Sequence, residues 1–206
     1  MYLYSMPRCE MDPEKVNELA YLNTRLLRGE RGVRSEINQL PEDELAFAKK
    51  YFQTAVKTYS SWDTDHRYPY SSISEEVAYW RKANAIHRWF VENVQDGEDD
   101  CRFHREVTAE DLDELYGRCE NILREAVIAK GKIVDGTKIP SFIDEKYVID
   151  ASICEAELPC QEGFFFGSQD YNEYYMEDIK YTYETLKKLL NGFDFENRRL
   201  YYVSSW

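Results

Sequence analysis

Apolar residues along the chain recur mainly three and four positions apart, which is the spacing of one helix face. The earliest such run starts at Asp12 and Pro13, a pair typical of a helix start, because aspartate caps free amide groups and proline suits the first turn. The run stops at Gly29, a residue type that commonly ends helices. The sequence therefore predicts a first helix from Pro13 to Gly29, followed by a polar loop that extends to residue 39.

The same spacing and further capping residues predict four more helices. The second helix covers residues 41–59, and the third begins at residue 72 or 74 and ends at residue 97. The fourth is capped by Thr108 with Asp111. The fifth ends at Gly192 and has on its core side Tyr175, Ile179, Thr182, Leu186 and Leu190. Clusters of β-prone residues predict short strands at the N-terminal MYLY, at residues 101–107 and at the closing RLYYVSSW. The pair Asp135–Gly136 is typical of a hairpin turn.

These elements predict an α+β fold that is predominantly helical, with about five helices and a small antiparallel sheet of short strands. The turn-rich segment SSWDTDHRYPYSS, residues 60–72, is the best candidate for a domain boundary. We therefore expect an N-terminal helical hairpin over residues 1–74 and a core domain over residues 75–206. The alternative is that both parts form one compact unit.

The stretch YWRKANAIHRWF, residues 79–90, concentrates cationic and aromatic side chains. On a helical projection, Trp80 and His87 fall within an apolar arc, Arg88 forms an i, i+4 pair with Glu92, and Trp89 lies almost opposite the arc. One interpretation is a core helix with solvated cations. The other is a ligand surface, because arginine binds phosphate or carboxylate groups and an indole ring stacks on a base. The candidate ligand-binding residues are Arg81, Lys82, Asn84, His87, Arg88 and Trp89.

The net charge of −13, from 39 acidic and 26 basic side chains, repels nucleic acid phosphates. We therefore expect no direct nucleic-acid binding, whereas a basic partner such as a nucleic-acid-binding nuclease would be attracted. The candidate docking residues lie in two acidic runs: Asp96, Glu98, Asp99 and Asp100, and then Glu110, Asp111, Asp113 and Glu114. No run of apolar residues is long enough for a membrane helix, and five scattered cysteines do not form a disulfide framework, so we expect a cytosolic location.

The sequence contains few patterns that indicate catalysis. Residues 163–168, GFFFGS, fit a buried strand that leads into a helix, or an anion site formed by Gly163, Gly167 and Ser168, but they do not form a phosphate-binding P-loop. The histidines and cysteines do not have zinc-ligand spacing, so we expect no metal and no cofactor. A small phosphate-handling enzyme with His87 or His104 as general base stays an alternative to a binding protein.

Three stretches resemble a family of uncharacterised phage and prophage proteins. They are YWRKANAIHRWFVENVQDGEDDC, GFFFGSQDYNEYYMEDIKYTYETLKKLL and the ending YYVSSW, which occur in this order over residues 77–206. The resemblance implies a phage origin, expression in a bacterial host cytosol, and an insertion at residues 10–60. It assigns no reaction, ligand or catalytic residue.

These inferences favour a phage accessory binding protein that inhibits a host defence, such as an anti-CRISPR protein. In one mechanism, the acidic runs dock on a host protein and mimic nucleic acid, which would make complex formation sensitive to salt. In the other, the helix that carries Arg81 sequesters a nucleotide signal. A structural protein that oligomerises through its aromatic surface is a further alternative.

Overall fold

A computed structural model describes residues 1–53, 56–60, 67–134, 142–148, 150–161 and 169–205. None of the helices in these ranges combines the length and the apolar character needed to cross a bilayer. In chain order the elements are β1 (Tyr2–Pro7), α1 (Pro13–Leu27), α2 (Val33–Ile37), α3 (Glu42–Tyr51), β2 (Val56–Ser60), β3 (Arg67–Ser71), β4 (Glu75–Tyr79), α4 (Asn84–Asn93), α5 (Ala109–Glu125), β5 (Ile128–Val134), β6 (Phe142–Val148), α6 (Ser152–Glu157), α7 (Glu173–Gly192) and β7 (Arg198–Val203).

The chain divides into two compact units that interleave along the sequence. The N-terminal unit consists of residues 3–77 and 196–201, and the larger unit consists of residues 1–2, 78–195 and 202–206. Both units therefore include part of the C-terminal strand β7, whereas the predicted boundary at residue 74 divides the chain only once.

A three-stranded sheet has the order β4-β1-β7, with the N-terminal strand at its centre. The amide of Arg8, just after β1, donates to the carbonyl of Asn197, just before β7, at 2.8 Å. The amide of Trp80, just after β4, donates to the carbonyl of Met1 at 2.9 Å. Because the end of one strand meets the start of the next in both cases, β1 is antiparallel to both neighbours.

In the N-terminal unit, α1 packs against the hairpin formed by β2 and β3. The Asp12 carboxylate accepts from two amides of the first turn of α1, which confirms the predicted cap. Two buried polar residues of α1 join the helix to the end of β3: Asn23 Nδ2 donates to Ser71 Oγ at 2.9 Å, and the amide of Ser71 donates to Thr24 Oγ1 at 3.1 Å. These polar groups are therefore buried with hydrogen-bond partners.

The guanidinium of Arg198, at the start of β7, joins the strands of the N-terminal unit. It donates to both the hydroxyl and the carbonyl of Ser5 in β1, the latter at 2.8 Å. It also donates to the carbonyls of Ser72 and Ile73, just before β4, at 3.3 Å each. One planar cation with five donors therefore satisfies acceptors from two chain segments.

In the larger unit, α7 packs against α5 and α4, and α6 packs against α5. The first turn of α5 has the predicted capping box, in which Thr108 and Asp111 bond each other's backbone amides. The predicted core side of α7 is buried at Tyr175, Ile179, Thr182 and Leu186, and Leu190 is half-buried. Capping residues and spacing together therefore located these two helices correctly.

The fold is α+β, but the predicted count of about five helices is wrong, because the described part of the chain contains seven. The two additional helices are α2 and α6, which have five and six residues. Fewer than two turns give too few apolar positions for a periodic pattern. Residues 101–107, predicted as a strand, contain only an isolated bridge at Val107.

Two predicted helices are also shorter than expected. The helix predicted over residues 41–59 ends at Tyr51, and Val56 is half exposed at the start of β2. The helix predicted from residue 72 or 74 is replaced at its beginning by β4, which pairs with β1. Strand pairing with a distant segment thus decided the structure of residues 75–79, and local spacing could not reveal it. The predicted turn at Asp135–Gly136 lies outside the described residues, whereas β5 and β6 on either side pair antiparallel.

Replacing Arg198 with lysine should lower the free energy of unfolding by about 2 kcal/mol or more, because hydrogen bonds from a charged donor contribute roughly 1.5–3 kcal/mol each. An ammonium group has three donors on a single nitrogen, so it cannot reproduce the planar fork through which the guanidinium bonds both segments. For a chain of this size, each 1 kcal/mol corresponds to a melting temperature about 2–4 °C lower. Thermal unfolding checks this, with Arg34→Lys on the exposed side of α2 as the control. Equal melting temperatures for both variants would show that Arg198 does not stabilise the sheet.

Candidate functional site

A cleft of about 280 Å³ lies in the larger unit, between the start of α4 and the first two turns of α7. Arg81, Lys82 and the first turn of α4 form one wall. Three acidic residues, Asp170, Glu177 and Asp178, line the other wall. The cleft therefore brings opposite charges together across a small cavity, at the lower end of the roughly 300–1,000 Å³ range of small-molecule sites.

The cationic wall depends on a left-handed residue. Lys82 has a φ angle of 62°, a backbone conformation that residues other than glycine seldom adopt. It follows the buried Trp80, whose indole Nε1 donates to Thr182 Oγ1 on α7 at 2.9 Å. This hydrogen bond fixes the chain just before the turn, and α4 starts immediately after it. Such strained residues persist where surrounding structure fixes them, often at functional sites.

The first turn of α4 differs from those of the three longest helices. Side chains of Asp12, Thr108 and Asn172 cap α1, α5 and α7, respectively. No side chain within the described ranges caps α4, and its first turn contains no acidic residue. The first amides of a helix have no partner within it and carry a partial positive charge. The start of α4 therefore adds hydrogen-bond donors and positive potential to the wall that holds Arg81 and Lys82.

The two cations of this wall are exposed and make no ion pair with any described residue. In contrast, Arg88, one turn further along, donates to Glu92 at 2.7 Å, which confirms the predicted i, i+4 pair. Arg88 also donates to the carbonyl of Cys160, so it supports the cleft from behind and does not line it. Among the six candidate ligand-binding residues, the structure thus brings Arg81, Lys82 and Asn84 to the cleft.

The opposite wall carries a carboxyl group with unusual acidity. Burial raises the pKa of Asp178 to about 7, and the neighbouring charge of Glu177 adds to this shift. Asp178 receives no hydrogen bond to its carboxyl group from the described residues. The carboxyl group is half-buried, so it is partly withdrawn from water without gaining a hydrogen bond from the described residues.

His87 lies outside the cleft and is fully buried. Its Nδ1 lies 2.6 Å from the hydroxyl of Tyr202, and its Nε2 lies 3.1 Å from the Asp99 carboxylate, without the alignment of a hydrogen bond. The carboxylate favours a proton on Nε2, so Tyr202 donates to Nδ1. Burial lowers the pKa of His87, although Asp99 opposes this effect. The imidazole therefore joins α4 to the C-terminal segment and is shielded from solvent.

Trp89 does not form the exposed stacking surface that the helical projection suggested. It is buried, and its ring packs edge-to-face against Phe90 at 5.1 Å. Both sides of α4 are covered, because Ala85 and Trp89 on one side are buried as well as Ile86 and Phe90 on the other. The candidates Gly163, Gly167 and Ser168 lie outside the described residues.

Half of the predicted docking residues are involved in contacts within the chain. Asp99 approaches His87, Asp100 accepts from His104 Nε2 at 2.8 Å, Asp111 pairs with Arg105 at 2.6 Å, and Glu114 pairs with Arg118 at 2.9 Å. The other four, which are all exposed, are Asp96, Glu98, Glu110 and Asp113. The two acidic runs therefore present less unpaired charge than their composition suggests.

Nucleophilic chemistry has little support in the cleft. Cys160 lines it, but burial raises the pKa of this thiol to about 11, so the thiol stays protonated near neutral pH. No group of three or more histidine, cysteine and acidic side chains converges as metal ligands within the described residues. The arrangement is suited to binding a charged ligand.

Sequence reasoning missed the whole α7 wall of the cleft. Asp178 falls between Tyr175, Ile179 and Thr182 at helical spacing, so it shares the side of α7 that was assigned to the core. A lone carboxylate on an apolar helix face was the available signal. Comparisons with protein-family models, with curated proteins and with solved structures give no match. The functional argument therefore depends on this geometry and on the sequence.

Replacing Asp178 with asparagine should stabilise the protein above neutral pH and have little effect near pH 4. The folded-state pKa of about 7 exceeds the ordinary value of 3.8, so stability from the bound proton is lost as pH rises through this window. Asparagine does not titrate, so the variant keeps this stability as the pH rises. His87 titrates in both proteins, so its contribution cancels in the difference between their free energies of unfolding. Urea unfolding at several pH values measures the difference, with the exposed Glu184→Gln on α7 as control. A gain independent of pH, or an equal gain in the control, would refute the assignment.

Proposed function

We propose that this chain is a phage-encoded accessory binding protein that counters a host defence by capturing a phosphorylated nucleotide in the cleft between α4 and α7. The observation that carries the proposal is the convergence of two cations, Arg81 and Lys82, with the start of α4 on one side of a cavity, where no described side chain pairs with the cations or caps the helix. The phage context rests on the sequence resemblance. The ligand class rests on the chemistry of the cleft.

Phosphate suits the cationic wall for three reasons. Helix N-termini bind anions through free amides and the aligned peptide dipoles. The planar Arg81 guanidinium can hold two phosphate oxygens at once, and the Lys82 ammonium adds a second charge. In a chain with a net charge of −13, two neighbouring cations that pair with no carboxylate in the described part of the chain are a local exception to the overall field.

A nucleoside accounts for the remainder of the cleft. Tyr174 lines it and is 69% exposed, which leaves the ring available for stacking on a base. Asp178 follows one helical turn later on the same side of α7. An inorganic anion would leave this carboxyl wall without a partner, whereas a base supplies hydrogen-bond donors. A volume of about 280 Å³ suits one nucleotide unit better than an oligonucleotide.

The structure favours this mechanism over nucleic-acid mimicry and over catalysis. Mimicry needs an extended surface of unpaired carboxylates, and half of the candidate residues have partners within the chain. Catalysis by His87 needs access to substrate, and this imidazole is fully buried. Capture of a nucleotide requires only a site that binds the nucleotide tightly and releases it slowly.

Native mass spectrometry tests capture directly. The tagged protein, purified gently from bacteria that carry active nucleotide-signalling defences, should retain a non-covalent ligand of a few hundred daltons. Arg81→Ala should weaken binding by roughly ten-fold to a hundred-fold, because a hydrogen bond to a charged group contributes about 1.5–3 kcal/mol. The bound mass should therefore disappear from that variant.

Lys180→Ala provides the matched control, because Lys180 is an exposed cation of α7 outside the cleft. It should keep the ligand, which excludes a general effect of net charge. The proposal fails if the protein carries no ligand from any of these hosts, or if Arg81→Ala and Lys180→Ala retain it equally.

A further inference from the structure

We infer that the Asp178 wall of the cleft recognises the base of the captured nucleotide and selects guanine. This inference rests on the proposed function, since it assigns the base of a ligand whose phosphate binds at Arg81 and Lys82. The observations behind it are the position of Asp178 in the cleft, its partly buried carboxyl group and the absence of a hydrogen-bond partner among the described residues.

The edge of guanine matches an ionised carboxylate. Its ring N1–H and its exocyclic amino group point in the same direction as two parallel donors, and a carboxylate offers two acceptor oxygens side by side. Adenine places an acceptor, N1, at the corresponding position, so one oxygen of the carboxylate would meet a lone pair. A site of this kind rejects the wrong base because polar groups would be left unpaired.

Asp178 is better suited to this role than the other two carboxylates of the cleft. Asp170 and Glu177 are exposed, and water competes for their oxygens. Asp178 is more buried, and its carboxyl group accepts no hydrogen bond from the described residues, so burial raises its pKa to about 7. Two donors from a base would supply these partners, so binding recovers part of the cost of burying the charge.

The two recognition elements for the base lie on one helix. Tyr174 and Asp178 are four residues apart, so their side chains project from the same side of α7. The ring of Tyr174 can cover the face of a base while Asp178 holds its edge. The phosphate would then extend across the cleft to the start of α4, where Arg81 and Lys82 lie.

Calorimetric titration of the purified protein with guanosine, inosine and adenosine 5′-diphosphates tests this assignment. At about pH 8, above the Asp178 pKa of about 7, the carboxylate is ionised. Guanosine diphosphate should bind at least ten-fold more tightly than inosine diphosphate, which lacks the exocyclic amino group. Adenosine diphosphate should bind more weakly still.

Asp178→Asn should remove the preference for guanine and favour adenine, because an amide offers one acceptor and one donor, which match the adenine edge. This variant should fold, since the substitution removes a poorly solvated charge. Glu184→Gln, an exposed neutral replacement outside the cleft, should keep the preference of the unmodified protein.

The remaining outcomes are distinct. Equal affinities for all three nucleotides, weakened together by Arg81→Ala, would overturn base selection and leave nucleotide capture intact. A guanine preference that persists in Asp178→Asn would also overturn the role of this residue. Absence of binding by all three nucleotides, together with a ligand-free protein from defence-active hosts, would overturn both proposals.

Discussion

The left-handed backbone of Lys82 is the constraint on which the cleft depends. The chain passes from β4, which ends at Tyr79, to α4, which starts at Asn84, through a short connection in which Lys82 adopts the left-handed conformation. The hydrogen bond from the Trp80 indole to Thr182 on α7 holds the preceding residue in place. As a result, two cations and an uncapped helix start face the same cavity. A glycine would adopt this turn more easily, but it would remove one of the charges.

The two walls of the cleft carry opposite charges, so one is suited to bind an anion and the other to bind hydrogen-bond donors. The cationic wall is exposed and has no carboxylate partner among the residues that the structure describes. The Asp178 wall holds a carboxyl group whose pKa burial raises. A ligand with a negative charge at one end would stabilise the cationic wall. Hydrogen-bond donors at its other end would stabilise the carboxylate of Asp178. Binding sites commonly retain such locally unfavourable groups at some cost to stability. By contrast, His87 and Arg198 use their polar groups to join distant segments, and they have the contacts expected of structural residues.

Local signals predicted the elements whose boundaries are set locally. The helices α1 and α5 begin at the predicted caps because Asp12 and the pair Thr108–Asp111 bond the nearest amides. The strand β4 was missed because pairing with β1, more than seventy residues away, determines its structure. Arg81, Lys82 and Asn84 were identified as candidates because they lie in a stretch that concentrates cations within an otherwise acidic chain. The role of Asp178 could not be predicted, because its depth of burial and its distance from Arg81 depend on how α4 packs against α7.

The central claim is that the start of α4, together with its two cations, forms an anion site. Amide chemical shifts measured by NMR during titration with inorganic pyrophosphate test it most directly. The account predicts that the largest changes occur at residues 82–86. The first turn of α5 should stay unchanged, because Thr108 and Asp111 bond each other's amides there and Glu110 and Asp111 repel an anion. Equal changes at both helix starts, or none at residues 82–86, would contradict the account.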